Sequence, residues 1–206
     1  MTGGSAGEGA PASGVVGPVP PGRDPVAYDQ LRRRVLWSLP TGLYLLGTRA
    51  GAARNLMTVS LVTQVATAPK LVAVAVETTA RTHALLVEGG VFALSVLARR
   101  DRTVVRRFAK PVADDEIDVD AVSGAGTMRG VAVRAATTGA PVLDGAVAWL
   151  DCEVRHTVAL GSHGLFVGEV VDCDAAPGAD RAPAAGGEGD DGAVLRMEDT
   201  RMNYGG

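Results

Sequence analysis

Residues 54–60 read RNLMTVS, and residues 78–86, TTARTHALL, follow after the apolar run KLVAVAVE at 70–77. Read as a strand that continues to Gln64, the first stretch alternates. Met57, Val59, Leu61 and Val65 fall on one face. Thr58, Ser60 and Gln64 fall on the other, with Leu56 and Val62 among them. The polar face carries hydroxyl and amide groups but no charge, whereas a solvated strand face usually carries Lys and Glu as well. It is either a plain outer surface or the lining of a polar ligand site.

The flanking segments settle the fold class. KLVAVAVE is apolar at nearly every position, as a strand buried on both faces requires. TTARTHALLVEGG then predicts a short helix, with Thr79 as its N-cap, Leu85 and Leu86 inward and Gly89 as its stop. Further strands are expected at TGLYLLGTR, VFALSVL, AVAWLDCEVRHTVAL, LFVGEVVDC and AVLRMEDTR. Further helices are expected at DPVAYDQLRRRVLW, capped by Asp24 with Ala27, Leu31, Val35 and Leu36 at helical spacing, and at RDRTVVRRFAK, with Val104, Val105 and Phe108 inward. DDEIDVD, at 114–120, reads as a solvated acidic loop. Antiparallel strands with few helices and no βαβ repeat predict a mainly β chain, a barrel with helical additions.

Composition removes several function classes. The 206 residues are 47% hydrophobic and 21% charged, with a net charge of −3 and no basic block, so no nucleic-acid groove is expected. Two cysteines, Cys152 and Cys173, are too few for a disulfide framework or a zinc ribbon and are expected to be reduced and packed. His83, His156 and His163 are too scattered to predict a metal site. SGAGTMRG at 123–130 lacks the spacing and preceding strand of a nucleotide loop. No nucleophile elbow marks a hydrolase, although triads assemble from distant residues. No apolar run reaches membrane length, and the start lacks the pattern of a signal peptide, so a cytoplasmic protein is expected. Residues 1–23 are Gly/Pro/Ser/Ala-rich and expected to be disordered, residues 24–206 to form the domain, and residues 176–192 to be a flexible loop within it.

TTART is the best local anion site. Free N–H groups and the positive end of the helix dipole favour a phosphate there, and Arg81 adds a charge-assisted contact. The competing reading is ordinary capping with a surface arginine.

Taken in order, RNLMTVS, the strand ending at Glu77, TTARTHALL, FALSVL, VVRRFAKP and HGLFVGEVVD resemble the flavin reductase-like proteins. The resemblance runs from about Leu31 to the C-terminal LRMEDTRMNYGG. It implies an antiparallel six-stranded Greek-key split β-barrel with flanking helices, paired as a homodimer, and FMN, with FAD as the other flavin, bound near the interface. It places Asn55, Met57, Thr58, Val59 and Ser60 along the flavin ring and ribityl chain. Thr79, Arg81 and Thr82 fall at the phosphate, and Phe108 and Lys110 of the R-F-A-K segment beside the flavin. His163 falls on the nicotinamide side, as the catalytic candidate, or is simply a solvated turn histidine. Leu56 stands where glycine is common in that family, and Ala68-Pro69 replaces a frequent Pro-Pro.

The implied reaction is hydride transfer from NADH or NADPH to flavin, with no protein nucleophile, the reduced flavin then serving a partner monooxygenase. Two rivals remain: a flavoprotein that keeps FMN and acts on another small organic molecule, and a non-catalytic flavin- or haem-binding module.

Overall fold

A computed structural model describes residues 17–176 and 194–200. Residues 1–16 of the expected tail and 177–192 of the expected loop lie outside the described residues. The chain divides into two units, residues 1–40 with 203–206, and residues 41–202.

In the first unit Asp24 caps α1 (Pro25–Trp37), its carboxylate accepting the Ala27 N–H at 2.8 Å, with Pro25 opening the helix. Spacing located this helix correctly, but the apolar stripe is not buried. Leu31, Val35 and Leu36 are all exposed, because a lone helix has no second element to cover its stripe. The buried residue is Asp29, held by Arg32 at 2.5 Å and Arg33 at 3.0 Å.

The second unit is built mainly of antiparallel strands. In chain order they are β1 (Tyr44–Ala50), β2 (Ala53–Val59), β3 (Val62–Thr67) and β4 (Lys70–Glu77), then α2 (Arg81–Gly89), β5 (Val91–Val96) and α3 (Arg102–Arg107). The short strands β6 (Ile117–Val119), β7 (Gly126–Met128), β8 (Val131–Ala135) and β9 (Pro141–Leu143) follow. The long hairpin β10 (Ala148–Leu160) and β11 (His163–Ala175) comes last. Seven strands form one sheet, ordered β2-β1-β5-β10-β11-β4-β3, and four form a second, ordered β6-β7-β8-β9.

This corrects the expected six-stranded barrel. The stretch read as one strand, 55–66, bends at Ser60-Leu61, and its two halves become opposite edges of the large sheet. β2 and β3 meet through those two residues without a ladder between them, so the sheet does not close. The bend also ends the alternation: Leu61 and Val65, expected in the core, are 44% and 51% exposed.

Two other expectations fail. DDEIDVD is not merely a solvated loop, since Asp114–Glu116 form a 3-10 turn and Ile117–Val119 pair with β7. AVLRMEDTR is not a strand: it makes only the isolated bridges Gly42–Arg196 and Ala98–Val194, then a 3-10 turn at Met197–Asp199. Both segments are too rich in Asp and Glu for a continuous pleated ladder.

β1 and β2 are buried on both faces. Leu45 and Leu56 join Phe108, Met128 and Leu143 in one cluster, whereas Leu46 and Val59 join Val74, Leu86, Phe92 and Phe166 in another. The small sheet presses close on β1, since a Cβ at Gly47 would lie 1.8 Å from the Pro141 carbonyl oxygen. Among the described residues no helix is long and apolar enough to cross a membrane.

The two kinds of position on the broken strand should respond differently to truncation. Leu56→Ala is expected to cost about 2–5 kcal/mol, the usual penalty for emptying a fully buried leucine site. Val65→Ala should stay within about 0.5 kcal/mol, as surface changes do. Urea unfolding of the two variants is the measurement.

Candidate functional site

Four pieces of chain converge: the second half of β2, the start of α2, the segment after α3, and the β10–β11 turn. The link between β2 and α2 is Asn55, 2% exposed, whose Nδ2 donates to Thr82 Oγ1 at 2.7 Å. Thr82 is itself fully buried. The other end of the amide, Oδ1, is buried without a partner. A buried amide oxygen that accepts nothing costs free energy, and its presence beside a helix start is a mark of a site meant to be completed.

α2 begins one residue later than expected. Its N-cap is Ala80, not Thr79, and no side chain caps it. Thr79 is exposed. The Arg81 and Thr82 N–H groups therefore find no backbone acceptor among the described residues, and they lie at the positive end of the helix. Arg81 leans over the segment after α3, donating from Nη1 to the Val112 carbonyl at 3.2 Å and pairing through Nη2 with Asp114 at 2.5 Å.

β2 joins α3 through Thr58. Its N–H donates to the Phe108 carbonyl at 3.0 Å and its hydroxyl to the Val105 carbonyl at 2.7 Å. Phe108 is fully buried. The side chains of Thr58 and Phe108 are thus structural. Met57 is half-buried against the inner cluster and Val59 lies within it, so neither side chain lines an open surface. Ser60 is buried, and its hydroxyl makes no hydrogen bond among the described residues, which leaves it available. Lys110 is exposed at the segment's end.

The hairpin turn closes on the same region. Thr78 donates its N–H to the Ser162 carbonyl at 2.9 Å and its hydroxyl to the same oxygen at 3.2 Å. His163 opens β11 opposite Glu77, half-buried, with its Nδ1 2.9 Å from Ser162 Oγ. It thus stands at the edge of the cluster. His83, which sequence reasoning gave no role, packs deeper. Its ring lies edge-on to Phe166 at 5.2 Å, and a Cβ at Gly164 would sit 2.6 Å from His83 Nε2.

Sequence reasoning also missed Arg129, which organises the segment after α3. It adopts φ +50°, costly for a residue with a Cβ. Its guanidinium donates to the carbonyls of Arg107, Lys110 and Pro111, the last at 2.8 Å, and to Glu116 at 2.8 Å. Hydrogen bonding from Arg129, then from the Ala113 N–H, holds the Glu116 carboxyl below its ordinary range. The signal available in sequence was an arginine before glycine at 129–130, where a left-handed turn residue is normal.

Neither cysteine offers a nucleophile here. Burial pushes the Cys152 thiol up to about 12, and Cys173, expected to be packed, is exposed at the far end of β11.

Thr58 gives a direct test of which groups are structural. Thr58→Val leaves the buried Val105 carbonyl without its donor and should cost about 1–3 kcal/mol, while Ser60→Ala should leave stability nearly unchanged. Chemical denaturation of the two variants checks the contrast.

The comparisons with known proteins agree with this geometry. The family described as "Flavin reductase like domain" matches residues 36–190. The chain is 35% identical over 152 residues to an NADH-dependent FAD reductase of Streptomyces globisporus, covering 72% of this chain and 76% of that one. Among solved structures, the NADH:FAD oxidoreductase SgcE6 of Streptomyces globisporus C-1027 superposes with a TM-score of 0.61 at 32% identity, covering 80% of this chain and 86% of that one. The styrene monooxygenase flavin reductase of Pseudomonas putida S12 does so with a TM-score of 0.57 at 29% identity, covering 70% and 87%. With three quarters of its length matched and the ordered motifs converging on one site, this chain belongs to the flavin reductase-like domain family.

Proposed function

We propose that this protein, through residues 24–206, oxidises NADH and reduces a flavin bearing a 5′-phosphate group, FMN or FAD, for use by a separate monooxygenase-type enzyme. The observation that carries the reading is the uncapped start of α2 with Arg81 beside it, tied to β2 by the Asn55–Thr82 bond. The chain's residues fit such a ligand: an orphaned amide oxygen at Asn55, unpartnered N–H groups, and one cation at the place a phosphate needs it. The relatives named above are an FAD reductase and a monooxygenase's reductase, both names that support a diffusible flavin.

The bound flavin supplies the hydride-accepting ring. The chain's part is to hold and orient. Arg81 and the first N–H groups of α2 take the phosphate, and Thr79 adds a hydroxyl at the same end. Asn55 and Ser60 offer neutral hydrogen bonds along β2, while Met57, Thr58, Val59 and Phe108 fix that strand from behind. Lys110 supplies positive charge at the rim, and His163 borders the side open to the nicotinamide. No proton transfer through a protein side chain is needed.

A homodimer completes the proposal. Leu61, Ala75, Leu165 and Val158 stand in register across β3, β4, β11 and β10, and the two end residues, Leu61 and Val158, are each 44% exposed. The row alternates with the inward Val74, Val76 and Phe166, so it faces outward, beside Ser60. An apolar row on an open sheet face fits a second copy of the chain.

Steady-state NADH oxidation with excess free FMN or FAD as the only acceptor tests the activity, and no turnover would refute it. Arg81→Ala should weaken FMN by about ten- to a hundredfold and riboflavin far less, since only FMN carries the phosphate. Flavin-fluorescence titration reads both.

The dimer has its own test. Leu61→Asp combined with Val158→Asp should shift the protein to the 21.0 kDa mass of a single chain in light scattering. A parent protein that already scatters as a monomer would refute it.

A further inference from the structure

We propose that Asp114 is a built-in competitor for the flavin phosphate, holding Arg81 when no ligand is bound and limiting how tightly a phosphorylated flavin is kept. The inference rests on the reading of Arg81 as the phosphate ligand. Both terminal nitrogens of Arg81 are already engaged, one by the Val112 carbonyl at 3.2 Å and the other by Asp114 at 2.5 Å. The two-pronged contact that arginine makes with phosphate needs at least one of them back. A carboxylate is an odd neighbour for an anion site unless weak holding is useful. A protein that hands on its flavin has that use, because each departure of the ligand is followed by Asp114 retaking the guanidinium.

The competitor is presented by a fixed turn. Asp114 opens the 3-10 turn that ends at Glu116, and Glu116 is held by Arg129 at 2.8 Å and by the Ala113 N–H at 2.9 Å. Asp114 therefore stays within reach of Arg81 although it is itself 84% exposed. Its neighbour Asp115 makes no ion pair among the described residues and carries the same charge, so it serves as a control. Because the pair is solvent-exposed, its hold is modest, and its removal should gain about two- to fivefold in affinity rather than orders of magnitude.

The experiment is a fluorescence titration of FMN and of riboflavin against the parent, Asp114→Asn, Asp115→Asn, Arg81→Ala and the Arg81→Ala/Asp114→Asn double variant. Asp114→Asn is expected to tighten FMN about two- to fivefold, chiefly through slower release in stopped flow, and to leave riboflavin unchanged. Asp115→Asn should gain less, and the gain from Asp114→Asn should vanish in the Arg81→Ala background. An equal gain from Asp115→Asn, or a gain that persists without Arg81, reduces the effect to general charge and overturns the proposal. So does an unchanged or weakened FMN affinity in Asp114→Asn. If Arg81→Ala weakens FMN and riboflavin alike, the phosphate assignment itself fails and the competitor falls with it. If it weakens FMN alone, that assignment stands whatever Asp114 does.

Discussion

The arrangement depends on how one edge strand is satisfied. β2 is paired with β1 on one side and with no strand on the other, and a buried edge cannot leave its polar groups empty. Thr58 resolves this with two bonds to α3, its N–H to the Phe108 carbonyl and its hydroxyl to the Val105 carbonyl. Those bonds fix the end of α3 against β2. The segment leaving α3 must then run past the start of α2, where Arg81 meets Val112 and Asp114. The site is therefore a consequence of an edge strand that pairs with a helix end instead of another strand.

The regular parts of this fold were legible in the sequence because their pattern is local. KLVAVAVE is a strand wherever it is put, and the β10–β11 hairpin shows its alternation on both sides of Gly161-Ser162. The bend at Ser60-Leu61 was not legible. Nothing in TVSLVT breaks the period of two, and the turn arises because β3 must reach β4 on the opposite edge of the sheet. The small sheet was missed for a related reason: its strands run three to five residues, too short for any period to show. The apolar stripe of α1 was legible as a stripe, but sequence spacing does not say whether a partner covers it.

The motif residues divide by what their polar atoms are already doing. Thr58 and Thr82 look alike in sequence as ligand hydroxyls, yet the first is spent on a backbone carbonyl and the second accepts from Asn55. Ser60 and the Asn55 Oδ1 remain unspent. Residue type and spacing therefore found the right neighbourhood, while the hydrogen-bond inventory assigned the parts. The same accounting moved attention from His163, at the rim, to His83, which is locked by Phe166 and by the missing side chain at Gly164.

Two arginines hold the segment between α3 and β6, and their grips differ in strength. Arg129 is side-chain buried to all but 20%, reaches three carbonyls and a carboxylate, and accepts an unfavourable backbone conformation to do so. Arg81 holds the same segment through one carbonyl and one exposed carboxylate. Charge-assisted bonds to sheltered backbone oxygens outlast an exposed ion pair, because water competes for the second and hardly for the first. An anion arriving at α2 will therefore break the Arg81–Asp114 contact and leave the Arg129 clamp in place. The response to ligand is confined to a side-chain exchange at Arg81, on a segment whose backbone does not have to move.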